Sequence, residues 1–365
     1  MTDEKIESLC RTFGITGEYR TYEKVSSGHI NKTYKVYFYR NNEVKDYILQ
    51  CVNTYVFINP IDVMDNIIAV TEYVRAKIKS TGVTAKRSVL HYQKTAEGKY
   101  YHYDEDGRFW RCSRFIDGSC SFLIASAFVM EESGKAFGEF HRYLADYPVE
   151  KLFVSIPHFH NTLMRYETFK TAIERDESHR KEGVKAEIDG YLALEDIATK
   201  TYKMQRDGIL PLRVTHNDTK CANVLFDVKT KKHLAVIDLD TVMPGLVAFD
   251  FGDAIRAGAN VAAEDEKDLS LVALDLKKFE AFVRGYLGVD KDALTSAELE
   301  TLADGAIAMT LECGVRFLTD YLDGDKYFSV DYPEHNLVRA RCQLALAKDM
   351  IAKYDQMQAI VKKYI

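Results

Sequence analysis

The chain has 365 residues, 47% hydrophobic and 12% aromatic, so its length favours two domains and its composition excludes a mostly disordered protein. The 49 basic and 55 acidic residues give a formal net charge of −6, which argues against a dedicated nucleic-acid binder. No stretch approaches the roughly 18 apolar residues that a membrane span needs, and the polar amino terminus has no apolar signal core. Seven cysteines without CxxC spacing favour reduced thiols over a zinc site or disulfides. We therefore expect a cytoplasmic protein with neither membrane nor nucleic-acid partners.

The first third of the chain has the pattern of strands separated by turns, with one amphipathic helix. Asn41-Asn42 between two strand-like segments predicts a hairpin, and apolar residues at helical spacing from Val63 to Ile78 predict one buried helix face. The predicted elements are a short helix within 1–14, strands over 33–40 and 45–53, a helix over 60–78, and a three-stranded meander over 88–93, 98–103 and 107–116. An antiparallel sheet that carries one helix is therefore expected.

The remainder of the chain is mainly helical, and a short island of strands interrupts it. Helices are predicted over 122–144, 161–176 and 184–205 and through about 266–363, with strands within 212–218, 223–227 and 233–240. This pattern predicts an α+β protein of bilobal, protein-kinase-like architecture. Residues 1–116 would form a small β-rich nucleotide-binding lobe, and residues 117–365 a larger helical lobe with the catalytic loop and the acceptor site.

The strand island carries the strongest chemical signal. His216-Asn217-Asp218 ends one strand, Asn223 follows five residues after Asp218, and Asp238 leaves a later strand. Phosphoryl transfer needs one carboxylate to orient the attacking hydroxyl, and a carboxylate and an amide to hold Mg²⁺ on the nucleotide phosphates. The spacing therefore predicts Asp218 as the catalytic base, Asn223 and Asp238 as metal ligands, and ATP and Mg²⁺ as cofactors.

Three neighbouring residues receive supporting roles. Lys220 is predicted to neutralise the transferring phosphoryl group, although a surface lysine would fit the sequence too. His216 is expected to bond backbone groups and hold the loop in shape. Asp250 begins a DFG triplet but follows a loop and not a strand, so we expect it to cap the next helix or brace the catalytic loop.

The β-rich part contains a loop and a strand position that bear on nucleotide binding. Ser27 and Gly28 lie in a candidate phosphate-covering loop, for which an ordinary hairpin turn is the alternative. Gln50 occupies the strand position where kinases usually carry a phosphate-pairing lysine. Either another cation or Mg²⁺ must therefore supply the missing charge.

The connector between the two predicted lobes is a candidate adenine site. Kinases usually read adenine there through backbone groups, and the residues chosen on this basis are Arg114 and Ile116. An ordinary edge strand over 109–116 is the alternative.

These motifs together resemble a known family. HNDTK, NVLFD, VIDLDTVMPG and DFGD are similar to the aminoglycoside-phosphotransferase-like kinases. GHIN, YILQ and ECGVRFLTDYLDGDKYF, residues 312–328, resemble the N-acetylhexosamine 1-kinases within that family, so the likeness covers most of the chain.

The resemblance implies ATP- and Mg²⁺-dependent phosphorylation of the anomeric hydroxyl of GlcNAc or GalNAc. It gives Asp218, Asn223 and Asp238 the roles predicted above. The sugar contacts that it implies are His29, Asn31, Arg316 and Tyr327. Two departures from the family pattern are Lys32, where an acidic residue is usual, and Cys221-Ala222, where Leu-Asn is usual.

The position of Arg316 can also be interpreted without the resemblance. Residues 301–322 have the pattern of a helix, and Arg316 and Asp320 lie four apart on one face. An exposed ion pair fits this spacing as well as a sugar contact does. Tyr321 and Tyr327 are the aromatic candidates nearby.

Several functions remain open at the level of sequence. The acceptor could be another sugar, an amino alcohol or an aminoglycoside. The protein is expected to be a monomer or a small homo-oligomer. A nucleotide-binding pseudokinase is favoured by the uncharged Gln50 and opposed by the presence of Asp218, Asn223 and Asp238. A protein kinase is least favoured, since no APE-like element follows Asp238.

Overall fold

The computed structural model describes residues 1–25 and 30–365. The chain divides into two compact units, each built from several segments. The first comprises Met1–Cys120, Glu150–Ile156 and Leu225–Met243, and the second comprises Ser121–Val149, Pro157–Val224 and Pro244–Ile365. The functional division into 1–116 and 117–365 stays a prediction.

The first unit contains a five-stranded antiparallel sheet in the order β1-β2-β3-β5-β4. The predicted hairpin is confirmed, and Asn41 and Asn42 at its tip have φ of 52° and 61°, as a tight hairpin turn requires. The strands are β1 Glu18–Val25, β2 Lys32–Arg40, β3 Glu43–Cys51, β4 His102–Tyr103 and β5 Phe109–Arg114.

Two helices bury apolar faces within this unit. Helix α1, Asp3–Thr12, contributes Ile6 and Cys10 to a core shared with the sheet residues Leu49 and Trp110. Helix α2, Pro60–Ser80, begins with a proline, which suits the first turn of a helix because it has no amide hydrogen to leave unpaired. The apolar stripe predicted for α2 is confirmed, and its buried members are Val63, Ile67, Val70, Val74 and Ile78.

The predicted three-stranded meander is wrong in part. Residues 88–93 form no strand and contribute only an isolated bridge from Tyr92 to Ser113 of β5. The outer edge of β5 is divided, because β4 pairs with its other end, opposite Phe109 and Trp110. Each neighbour therefore has room for only a few pairs. The edge-strand alternative is also wrong, since β5 lies between β3 and β4.

The predicted strand island is present as short strands. A three-stranded sheet has the order β6-β8-β9, and β7 pairs with β10. The bounds are β6 Ser119–Cys120, β7 Arg213–Thr215, β8 Val224–Asp227, β9 His233–Val236 and β10 Met243–Gly245.

The second unit is built mainly from helices. The helix predicted over 184–205 is interrupted between Leu192 and Glu195, and the second piece begins with Glu195 and Asp196, which favour a helix amino terminus. The helices are α3 Ala127–Leu144, α4 Thr162–Arg175, α5 Lys185–Leu192, α6 Glu195–Arg206, α7 Val247–Gly258, α8 Leu276–Asp290, α9 Ser296–Glu300, α10 Leu302–Leu322, α11 His335–Ala352 and α12 Tyr354–Tyr364. Among the described residues, no helix combines the length and apolarity that crossing a membrane requires.

Helix α10 is the central helix of the second unit, and its backbone packs directly against the backbone of α7. A Cβ atom at Gly305 would lie 1.9 Å from the carbonyl oxygen of Ala248, and one at Gly252 would lie 2.2 Å from the carbonyl oxygen of Gly305. Only glycine permits this approach. The position of α7, and of every side chain it carries, is therefore fixed against α10.

We predict that Gly305→Ala lowers the free energy of unfolding by about 1–3 kcal/mol or more, because the added methyl group meets backbone atoms that cannot move aside cheaply. Urea denaturation measures the change. Gly288→Ala is the matched control, since a Cβ there meets no atom within 4 Å, and helix propensity should stabilise it by up to about 1 kcal/mol. Equal unfolding midpoints for the two variants would contradict the close α7–α10 contact.

Candidate active site

The segment after β7 brings three of the predicted site residues together. Asn223 Nδ2 donates to Asp218 Oδ2 at 2.9 Å and to the Asp218 carbonyl oxygen at 2.8 Å. Lys220 Nζ lies 3.0 Å from the same Oδ2. One carboxylate, one amide and one cation are therefore held at a single point of the second unit.

These bonds also determine which atoms are left for a ligand. The amide nitrogen of Asn223 is used on Asp218, so its Oδ1 is the atom that can coordinate a cation. Asp218 Oδ2 receives both Asn223 and Lys220, so Oδ1 is the oxygen suited to an incoming hydroxyl. The arrangement assigns the two residues different tasks.

His216 holds the loop, as the sequence predicts. Its side chain is fully buried, and its Nδ1 accepts a hydrogen bond from the amide of Asp218 at 3.2 Å. The intervening residue, Asn217, has a left-handed φ of 63°, a conformation that costs a non-glycine residue about 1–3 kcal/mol unless its surroundings enforce it.

Asp250 of α7 supplies that enforcement, so of its two expected roles, a cap of the next helix or a brace of the loop, the structure shows the brace. Its two carboxylate oxygens accept from the amides of His216 at 2.6 Å and Asn217 at 2.7 Å. His141 Nε2 lies 2.9 Å from the same carboxylate, and the Thr219 hydroxyl donates to the Asp250 carbonyl. With a side chain about 1% exposed, Asp250 faces the loop and not solvent.

His160 connects this loop to α10. Its Nδ1 lies 2.8 Å from Glu312 Oε1, and its Nε2 lies 3.2 Å from the Asn217 carbonyl oxygen. Both partners accept hydrogen bonds, so a protonated ring, with two N–H donors, satisfies them. Burial alone would lower the pKa of His160, but the Glu312 carboxylate outweighs burial and raises it.

The segment after β9 holds Asp238 and a residue that the sequence argument missed, Asp240. Asp238 is exposed and has a left-handed φ of 61°. Asp240 is buried and forms a two-pronged ion pair with the equally buried Arg111 of β5, whose Nη2 lies 3.0 Å from Asp240 Oδ2. This pair holds the segment next to Asp238 in the first unit.

Arg111 also bonds Gln50. The two are register partners on neighbouring strands, and Arg111 Nε donates to Gln50 Oε1 at 2.9 Å. Burial would lower the pKa of Arg111, but Asp240 outweighs burial and raises it. The position without a lysine thus has a charged neighbour. The signal in the sequence was a single arginine within the apolar strand FWRCS.

The predicted contacts of the β-rich part have different outcomes. Ser27, Gly28 and His29 lie outside the described residues. Asn31 uses both ends of its amide inside the first unit, donating to Asp240 at 2.6 Å and accepting from the Asn53 amide at 2.9 Å. Its role in sugar binding stays a prediction.

Arg114 and Ile116 lie apart from the Gln50–Arg111 group. Arg114 is exposed at the end of β5 and Ile116 is buried, and both line a cavity of about 430 Å³ in the first unit. Their role in binding the nucleotide stays a prediction.

The ion pair that the spacing of Arg316 and Asp320 allowed is not formed among the described residues. Asp320 is buried, and it accepts the backbone amides of Lys326, Tyr327 and Phe328 at 2.8–2.9 Å. Asp320 Oδ2 also accepts the Asn336 side-chain amide at 2.9 Å, so four donors from 326–328 and α11 bond this carboxylate in place of Arg316. Asp320 therefore shapes the turn at 326–328.

Arg316 instead lies among aromatic rings. Its guanidinium carbon is 5.4 Å from the centroid of Phe328 and 5.9 Å from that of Phe159. Tyr327, beside Phe328, is 71% exposed, so its ring is open to a ligand. Arg165 lies in the same region, where its Nη2 donates to the Phe159 carbonyl at 2.8 Å.

Residues that fit Mg²⁺ are present, although the described chain has no cluster of three or more His, Cys, Asp or Glu side chains arranged for a metal. Mg²⁺ is usually held by one or two protein oxygens together with substrate phosphates and water. The free Oδ1 of Asn223 and the exposed Asp238 carboxylate are oxygen donors of that kind.

We predict that Arg111→Met lowers the free energy of unfolding by about 3–5 kcal/mol, because it leaves the buried carboxylate of Asp240 without its ion-pair partner. The double variant Arg111→Met/Asp240→Leu should be more stable than Arg111→Met alone, since it removes the unpaired charge. Lys99→Met, which breaks an exposed pair with Glu97, is the control and should cost about 0–1 kcal/mol. Additive effects of the two buried substitutions would contradict the coupling.

Comparison with known proteins gives one family match and several similar solved structures. Residues 99–280 match the model of a family described as the phosphotransferase enzyme family. Similar solved structures include a microcompartment-associated aminopropanol kinase (14% identity, 98% of each chain covered, TM-score 0.59) and a choline kinase from Cryptosporidium parvum (14%, 99% of each chain, 0.59). A third is a spectinomycin phosphotransferase in complex with ADP and spectinomycin (14%, covering 96% of this chain and 99% of that one, TM-score 0.55). The predicted α+β, protein-kinase-like fold is confirmed.

Proposed function

We propose that this chain, a member of the aminoglycoside phosphotransferase family, is an ATP- and Mg²⁺-dependent kinase that phosphorylates the anomeric hydroxyl of an N-acetylhexosamine. The observation that carries the kinase assignment is the bonding of Asp218, Asn223 and Lys220 on a loop braced by Asp250. The acceptor assignment depends on the resemblance of the 312–328 segment and on the charge around Arg316.

Asp218 is the proposed base. Its Oδ1 would accept the proton of the acceptor hydroxyl as the oxygen attacks the γ-phosphorus, while Asn223 and Lys220 hold Oδ2 and fix the orientation of the carboxylate. Lys220 would also offset negative charge on the transferring group. Asn223 Oδ1 and Asp238 would hold Mg²⁺. When bound, the ion neutralises phosphate charge and makes the leaving diphosphate less costly to form.

The charge around Arg316 favours a neutral acceptor over an amine. Within the described residues, no carboxylate lies within ion-pair distance of its guanidinium. Burial lowers the pKa of Arg165, and the positive charge of Arg316 lowers it further, so the two guanidinium groups together make this region positively charged. Glu312, one turn before Arg316 on α10, is already bonded to His160 and to the Thr162 hydroxyl.

Cationic acceptors would meet repulsion at such a site. Choline, ethanolamine and aminopropanol carry a positive charge at neutral pH, whereas GlcNAc and GalNAc are uncharged and present several hydroxyl and carbonyl oxygens to a guanidinium. Aromatic rings such as Phe328 and Tyr327 suit the apolar face of a sugar ring. This supports the hexosamine over the amino-alcohol alternative.

The direct test is an acceptor screen with ADP release and phosphorus NMR of the product. We expect turnover of GlcNAc or GalNAc to the 1-phosphate, none with the methyl glycosides, and poor turnover of choline and ethanolamine. Arg316→Ala should raise the sugar KM by about 10- to 150-fold, the equivalent of a charge-assisted hydrogen bond of roughly 1.5–3 kcal/mol, and leave the ATP KM nearly unchanged. Asp218→Asn should reduce kcat by about 10²–10⁴.

Arg206→Ala, at the exposed end of α6, is the matched control and should leave both KM values unchanged. A 6-phosphate product would overturn the 1-kinase assignment, and preferred turnover of an amine would overturn the sugar assignment. ATP binding without turnover of any acceptor would favour the pseudokinase. An Asp218→Asn variant with more than about a tenth of normal activity would remove the proposed base.

A further inference from the structure

A cavity in the first unit lies at one end of the five-stranded sheet. It has a volume of about 430 Å³, within the range of small-molecule sites. Its walls come from the carboxyl-terminal half of α2, the segment 84–91, the start of β3 and the chain that leaves β5. The charged lining residues are Lys45, Asp46, Arg75, Lys79, Lys86, Arg87, His91, Arg114 and Asp117.

Positive charge dominates this lining, with six lysines and arginines against two aspartates. Of the aspartates, Asp46 is already neutralised by Lys35, 2.9 Å away and outside the lining. Within residues 1–25 and 30–365, Lys79, Lys86 and Arg114 have no carboxylate at ion-pair distance. Three cations of the lining therefore have no ion-pair partner among the described residues.

Two further observations indicate that the cavity favours a negatively charged ligand. Arg87 bonds Asp227 at 2.8 Å through Nη2, but its Nε is buried with no acceptor among the described residues. The pKa of His91 is lowered by burial and then by the charges of Arg75 and Arg114, as expected for an imidazole held in a positive field.

The cavity is separate from the residues around Gln50. None of Gln50, Arg111 or Asp240 lines it, and these three bond one another on the sheet and after β9. A ligand in the cavity would therefore meet a different set of donors from a nucleotide phosphate at Gln50. Arg114 and Ile116, the predicted adenine contacts, do line the cavity, so competition with ADP decides whether the two sites are distinct.

We propose that this cavity is a second ligand site, which binds a compact phosphate-bearing anion with two or more negative charges. Arginine and lysine side chains are the usual protein donors to phosphate oxygens, and a small phosphate ester or diphosphate fits the volume. A monocarboxylate would leave most of the excess charge uncompensated. The proposal does not depend on the identity of the acceptor.

The test is calorimetric titration with inorganic pyrophosphate in the presence of saturating ADP, which occupies the nucleotide site. We expect binding to the wild type, and at least a tenfold weaker Kd for Lys79→Gln/Lys86→Gln. Both lysines are exposed, so the variant should fold. The matched control is Lys99→Gln/Lys229→Gln, which removes the same charge from exposed positions outside the cavity and should change Kd less than twofold.

A second measurement locates the site. Pyrophosphate should shift the imidazole NMR signals of His91 in the wild type and in the control variant, at concentrations that match the calorimetric Kd. Absence of binding to the wild type, displacement of pyrophosphate by ADP, or equal Kd values for the two double variants would overturn the proposal. Binding of inorganic phosphate with the same variant dependence would support it and identify the free phosphate group as sufficient.

Discussion

The candidate active site depends on the hydrogen bonds that the Asp250 carboxylate accepts from the loop after β7. This carboxylate accepts the amides of His216 and Asn217 and so stabilises the left-handed backbone of Asn217, the residue directly before Asp218. Its placement follows from the contact of α7 with α10, where Gly252 and Gly305 leave no room for a side chain. A helix–helix contact thus determines the shape of a loop.

The same helix α10 carries the proposed acceptor residues. Glu312 bonds His160, which reaches the Asn217 carbonyl, and Arg316 lies one turn further along the helix. Asp320 then fixes the backbone of the 326–328 turn. The loop that carries Asp218 and the side chain of Arg316 are therefore both positioned by contacts with α10.

Local sequence patterns predicted part of the fold and part of the candidate site. The Asn41-Asn42 hairpin, the buried stripe of α2 and the role of Asp250 followed from turn chemistry, periodicity and the position of Asp250 after a loop. Pairings between distant residues did not, since Arg111 and Asp240 are 129 positions apart and His160 and Glu312 are 152 apart. The predicted meander was wrong in part because residues 88–93 and β4 share one edge of β5, which no local pattern reveals.

Amide hydrogen exchange of the catalytic loop tests the central claim that Asp250 holds Asp218 in place. The amides of His216 and Asn217 should exchange slowly in the wild type although they lie outside regular structure. In Asp250→Asn, which keeps the shape but loses charge and one acceptor, they should exchange at least tenfold faster, with kcat reduced and exchange in α10 unchanged. Equal exchange rates at these two amides in both proteins would contradict the account.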